Sequence, residues 1–171
     1  IAGLATWYGL LESSSSYTPF IIKMGFVFVL IGYGTKAGLV PMHTWLPDAH
    51  SMAPSPISSL LSGVLLNVPL LIILRFKTIT DAAVGPEFAS RLLIAFGLIT
   101  LLTSSLIILV QKNYKRLLAY SSIEHMGVAV LGFGIGGTAS AAAMLHMIYH
   151  SLTKSLLFLS SGNIALSYRS T

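Results

Sequence analysis

The chain has 171 residues, 54% of them hydrophobic and only 9% charged, with a mean hydropathy of +0.83. A soluble domain carries about 25% charged residues, so a chain this poor in charge has lipid as its outer solvent. Its formal charge of +5 comes from ten Lys and Arg against five Asp and Glu, but the basic residues are scattered and no aromatic-interleaved basic stripe forms, which argues against nucleic acid as a partner. It contains no cysteine, which excludes a disulfide framework, a thiolate zinc site and a cysteine-held iron–sulfur cluster.

A spanning helix needs about 20 mainly apolar residues. Residues 1–11, IAGLATWYGLL, read as part of a first span. No basic stretch with a cleavage site precedes them, so no signal peptide is expected, and the opening within an apolar run reads as a piece of a longer polypeptide. After the polar ESSSSYTP, residues 20–45 form a second span. Gly32, Gly34, Lys36, Gly38 and Pro41 interrupt it, and a break is predicted near residues 37–41. LPDAHSMAPSP, with three prolines, reads as a loop. Residues 57–76 are the next span, KTITDAAVGPEFAS a loop, and residues 92–110 an uncharged span. The basic turn QKNYKR leads into residues 117–133, and GIGGT turns the chain into residues 139–166. The expected architecture is an all-α, polytopic transmembrane helix bundle in a single domain, with about five full spans and one partial one. Lys and Arg divide evenly between its two sides. The turn holding Lys112, Lys115 and Arg116, with Arg169, is taken as cytoplasmic.

The informative residues are the ionisable ones inside these spans, because a charge in hydrocarbon costs several kcal/mol and is kept facing protein or a hydrated cavity. Lys36 lies about sixteen residues, or roughly 24 Å, into its span, too deep to reach back to the near interface. Gly34, Gly38 and Pro41 around it would free backbone carbonyls beside the amine, which suits an ion pathway; the alternative is a lysine reaching forward to the far interface. Glu124 and His125 lie side by side on the fifth span, residues 117–133, and point about 100° apart, so only one of them can face a given path. Glu124 reads either as a proton site or as the counter-ion of a lysine. His125, taken alone, reads as a packing histidine. His146, His150 and Lys154 recur every fourth residue and line one helix face over about 12 Å. Imidazoles titrate near neutral pH, and steps of about 6 Å between these groups require intervening water. Ser151, Ser155 and Tyr149 stand nearby as hydroxyls to order it. His43 and His50 bracket the proline-rich loop with Asp48, where interface and capping roles fit better than a metal site.

These residues carry a resemblance. GYGTKAGLVPMHTWLPDAHSMAPSPISSLLSG resembles the broken-helix signature of the antiporter-like subunits of respiratory complex I. The same family includes the proton-pumping membrane subunits of group 4 hydrogenases and multisubunit sodium/proton antiporters. KRLLAYSSIEHMG and HMIYHSLTKSLLFLSSGNI are similar to its later helices, and SSIEHMG is most similar to the hydrogenase-4 component F and formate-hydrogenlyase branch. The resemblance implies a fragment of an inverted-repeat antiporter-like fold. It makes Lys36 the broken-helix lysine and His146, His150 and Lys154 the central relay, with Asp48 and Pro54 in a structural loop motif. It further implies a glutamate partner for Lys36 on an earlier helix. In several relatives a lysine or histidine stands where this chain has Asn67. Asn67 carries no proton charge, so transfer between Lys36 and His146 would use water ordered by Asn67, or Glu124 and His125.

The expected function is therefore proton translocation through a Lys/His/water relay, in a non-catalytic subunit of a redox-driven complex. Neither a cofactor nor a metal is expected in this chain. The expected partners are other membrane subunits, a peripheral redox arm and the lipid bilayer of a prokaryotic plasma membrane. One alternative is a sodium/proton antiporter subunit. Another is a haem-binding electron carrier, which fits poorly because His146 and His150 share one helix face and cannot clamp opposite sides of an iron.

Overall fold

The computed structural model describes residues 9–11 and 18–168. Most of the first expected span, the serine run Ser13–Ser16 and Arg169 lie outside the described residues. Helix α1 spans Pro19–Ala37, with Pro19 in its first turn, where a missing N–H costs nothing. It stops at Gly38, which takes the left-handed conformation (φ 77°). The Gly38 N–H donates to Thr35 O and the Leu39 N–H to Gly34 O, so the last carbonyls are satisfied.

The groups that follow this break find partners from elsewhere. The Val40 N–H donates to Thr100 Oγ1 (3.0 Å), and Trp45 Nε1 reaches back to Thr35 O (2.8 Å). Pairing of this kind is what lets a helix break within a membrane protein.

Two segments expected as loops are helical. Helix α2 spans Trp45–Met52 and α3 spans Ser55–Leu60. Their prolines do not oppose this, because Pro47 and Pro56 lie in first turns and Pro54 caps α3 from outside. A single π-helical turn, Leu61–Leu65, joins α3 to α4, Asn67–Val84. The supposed loop after residue 76 is the end of α4. Its polar side chains are absorbed locally, by the Lys77–Asp81 ion pair and by the Thr80 hydroxyl donating to Phe76 O. Gly85 (φ 86°) turns the chain, and Pro86 starts α5, Pro86–Ile108. Asn113 caps α6, Tyr114–Ile135, its side chain accepting from Arg116 N–H (3.2 Å). After Gly136 and Gly137, both at positive φ, α7 runs over Thr138–Tyr168.

Among the described residues, four helical stretches are long and apolar enough to cross a membrane: Pro19–Ala37, Ser55–Val84, Pro86–Ile108 and Tyr114–Ile135. Helix α7 is longer still at 31 residues, but its polar face dilutes its hydropathy. Its other face exposes Leu145, Ile148, Leu152 and Leu156. Exposed apolar side chains are also carried by the other helices (Phe20, Phe28, Leu98, Leu102), as lipid contact requires. This is an all-α integral membrane protein. Helices α5 and α6 pack backbone to backbone at glycine: a Cβ added at Gly97 would lie 2.9 Å from Leu131 N and 3.0 Å from Gly127 O. Phe26, Leu66, Leu70, Ile123, Met126 and Phe133 fill the core between the helices.

Candidate functional site

Helix α6 presents Ser121 and His125 to α7, and α7 answers with His146, His150 and Lys154. His125 Nδ1 lies 3.1 Å from His146 Nε2, one nitrogen donating and the other accepting. The His125 and His150 rings are 5.4 Å apart between centroids. His125 thus stands between the two α7 histidines and shortens the steps that a path along α7 alone would need. The sequence offered it either as a packing histidine or, with Glu124, as a transfer group. Its partner is another imidazole, which makes it part of the titratable file.

Lys154 is 3% exposed, and its ammonium donates to Ser121 Oγ (2.7 Å) and Leu118 O (3.4 Å). A buried ammonium needs such acceptors to offset lost hydration. Ser62 and Ser122 share a hydrogen bond of 2.8 Å in the same buried layer, and the Ser122 hydroxyl also reaches Leu118 O (3.0 Å). Both nitrogens of His150 are buried without a protein hydrogen-bond partner. No protein hydrogen bond fixes the orientation of that ring.

The π-helical turn presses on α7 here. A Cβ on Gly63 would collide with Ser155 Oγ and lie 3.2 Å from Ser151 O, so only glycine allows this approach. Asn67 then crosses the gap. Its amide donates to Ser151 Oγ (2.5 Å), to Met147 O (3.5 Å) and to Gly63 O (3.1 Å), a carbonyl within the π-helical turn. Its own carbonyl oxygen is buried with no protein partner. Ser155 O accepts from the Ser59 hydroxyl (3.3 Å). Asn67, Ser151 and Ser155 thus form one polar wall beside His150 and Lys154.

Two of the expected site residues are not in this cluster. Glu124 is held from α5, where Ser105 donates to its Oε1 (2.8 Å), and it acts on His125 and Lys154 through its charge rather than through a hydrogen bond. Lys36 is exposed on α1 and lines a groove of about 720 Å³ with Tyr33, Trp45, Leu61, Val64 and Pro69. No hydrogen bond or ion pair reaches it from the described residues. Its predicted place inside protein is thus not formed by these helices alone: the groove is apolar, and its only formal charge is the lysine.

Ser121, Ser122, Ser62, Ser105 and His50 were not singled out for this chemistry from the sequence. Ser121 and His125 are four residues apart, so a helical reading puts them on one face. The others become neighbours only through tertiary contact. His50 is fully buried and stacks on Phe158 of α7 (4.8 Å between centroids, 10° between planes). Burial lowers the pKa of His43 and, with help from the Lys154 and Lys115 charges, takes that of His50 down to about 4. Helix α2 is tied to the basic start of α6 by the Arg116–Asp48 ion pair (2.9 Å) and by Lys115 Nζ donating to Ala53 O (2.9 Å).

Comparison with known proteins identifies relatives. The profile of a family described as NADH:quinone oxidoreductase/Mrp antiporter, TM, matches residues 10–171. A hydrogenase-4 component F homolog of Methylacidiphilum infernorum (isolate V4) is 49% identical over 166 residues, covering 95% of this chain and 35% of that protein. NAD(P)H-quinone oxidoreductase chain 4 of Prochlorococcus marinus (strain MIT 9312) is 41% identical over 134 residues, 78% of this chain and 25% of that one. Among solved structures, a chain of the membrane-bound sulfane sulfur reductase, an archaeal respiratory membrane complex, superposes with a TM-score of 0.84 at 28% identity. That match covers 96% of this chain and 36% of the other. A chain of the Mrp complex from Dietzia sp. DQ12-45-1b does so with a TM-score of 0.82 at 30% identity, covering 92% and 17%. The chain thus spans from about a sixth to little more than a third of the length of these four relatives.

Proposed function

We propose, because this chain belongs to the NADH:quinone oxidoreductase/Mrp antiporter transmembrane family, that it forms the central relay of a proton-translocating, antiporter-like subunit. The observation that carries this reading is the file His146–His125–His150–Lys154. Three imidazoles from two helices lie at hydrogen-bonding or near-contact spacing, and the buried Lys154 follows one turn beyond His150 on the same helix, inside a largely apolar bundle. Nothing structural demands so many of them, and each costs free energy to keep there.

In this mechanism a proton passes between imidazoles by entering at one ring nitrogen as another leaves from the second. Lys154 holds a proton on Ser121 and releases it when the charge around it changes. Moving one charge shifts its neighbours, and each pKa unit is about 1.4 kcal/mol. Asn67, Ser151 and Ser155 order water along the wall. Lys36 is the next station and receives its counter-charge from outside the described residues. Glu124, held by Ser105, acts as a fixed negative charge beside the file. The driving energy comes from a redox reaction in partner subunits and their peripheral arm, in a prokaryotic plasma membrane, and this chain supplies no cofactor of its own. The hydrogenase-4 type of complex is favoured by the 49% identity to that relative.

The test is proton flux through the full-length protein in its complex, reconstituted in liposomes with pyranine inside and driven by a valinomycin-set potassium potential. Lys154→Met keeps the volume and removes the titratable amine. It lowers flux by at least about 100-fold, the range a positioned acid–base group contributes; wild-type flux would reject the relay. The likeness to the Mrp complex chain supports a second reading, sodium/proton exchange. Flux that requires sodium on the opposite side would select it.

A further inference from the structure

The face of α7 that carries His146, His150 and Lys154 continues one turn further to Phe158, and there its own titratable residues end. At that point α2 supplies an imidazole. His50 stacks on the Phe158 ring, is fully buried, and has both Nδ1 and Nε2 without a protein hydrogen-bond partner. Its backbone is firmly held. Ser58 Oγ donates to His50 O (3.1 Å), Arg116 grips Asp48 two residues before it, and Lys115 grips Ala53 three residues after it. Those two clamps come from the first turn of α6, beside the basic turn that opens to the aqueous side. A firmly held backbone and ring, with two nitrogens bonded by no protein atom, are what a transfer group needs, whereas a packing histidine normally has at least one nitrogen bonded. On the reading of the chain as a proton relay, we propose that His50 passes protons between Lys154 and the aqueous phase on the Lys112–Arg116 side.

The groups facing His50 are Lys154 and Phe158 from α7 and Lys115 from α6. Burial, helped by the charges of Lys154 and Lys115, keeps the imidazole neutral at neutral pH, so one nitrogen can accept while the other donates. A proton leaving the Lys154 ammonium through water enters at the free nitrogen. The N–H proton on the other nitrogen leaves towards solvent. Lys154 ends as the amine and His50 as its other neutral tautomer, so charge and protons balance.

The experiment is the potassium-driven proton flux of the full-length protein in its complex. His50→Phe keeps a ring against Phe158, and His50→Gln keeps hydrogen bonding without titration. Both lower flux at least about 100-fold, the lower reach of a proton-transfer group, while the complex assembles in normal amount. His50→Gly regains flux with added imidazole but not with the far less basic pyrazole. Should His50→Phe fail to assemble, the glutamine variant and the imidazole arm decide. Wild-type flux in His50→Gln, or rescue by both azoles alike, overturns the proposal. Loss of flux in Lys154→Met with none in His50→Gln removes His50 alone; unchanged flux in both removes the relay reading and this inference together.

Discussion

Lys154 and Lys36 are both lysines carried by apolar helices, yet their surroundings are opposite. Lys154 is 3% exposed, with Ser121 and Leu118 O accepting from its ammonium and three imidazoles on its path. Lys36 sits at the last turn of α1, exposed, in a groove walled by Trp45, Leu61, Val64 and Pro69. The first is a finished site, whose acceptors come from the helix packed against it. The second is half a site, because an ammonium on an apolar wall is stable in a membrane only with a counter-charge or water brought to it. Completeness of packing, rather than residue type, separates a proton-holding lysine from one that awaits a partner.

The largest effect that would sharpen this contrast is at Lys36. Lys36→Ala lowers proton flux by about 100-fold, as for a lost acid–base group. It changes the thermal stability of the isolated protein by less than about 0.5 kcal/mol, because no described residue depends on it. Equal loss of stability in Lys36→Ala and Lys154→Met would erase the distinction. Next comes Gly97→Ala, which forces α5 off α6 and destabilises by about 1–3 kcal/mol, read as a lower melting temperature in detergent. Asn67→Ala removes the amide that crosses to Ser151 and costs about 1 kcal/mol. Flux should fall only severalfold, since Asn67 orders water without carrying the proton. A loss as large as that of Lys154→Met would make it a principal station. Smallest is Asp48→Asn, which breaks the half-exposed pair with Arg116 and costs under about 1 kcal/mol. It should leave flux nearly unchanged, provided Lys115 still holds Ala53.

Sequence alone determined the solvent, the helical class and the chemistry available. Too few charges for a water-facing surface, and His146, His150 and Lys154 at fourfold spacing, depend only on composition and helical geometry. The family was legible as well, in the stretches around Lys36, Glu124 and His146. Tertiary structure decided everything that depends on two segments meeting. It put His125 between His146 and His150, tied its neighbour Glu124 to Ser105, gave Lys154 its Ser121 acceptor, and brought His50 onto Phe158. It also made helices of two segments read as loops, since prolines in a first turn and i,i+4 polar pairs cost a helix little. Periodicity reports which residues share a face, but a hydrogen bond between helices depends on register and separation. Those were set here by glycines at 63, 97 and 127, whose missing side chains let backbones approach, and no pattern along the chain encodes that distance.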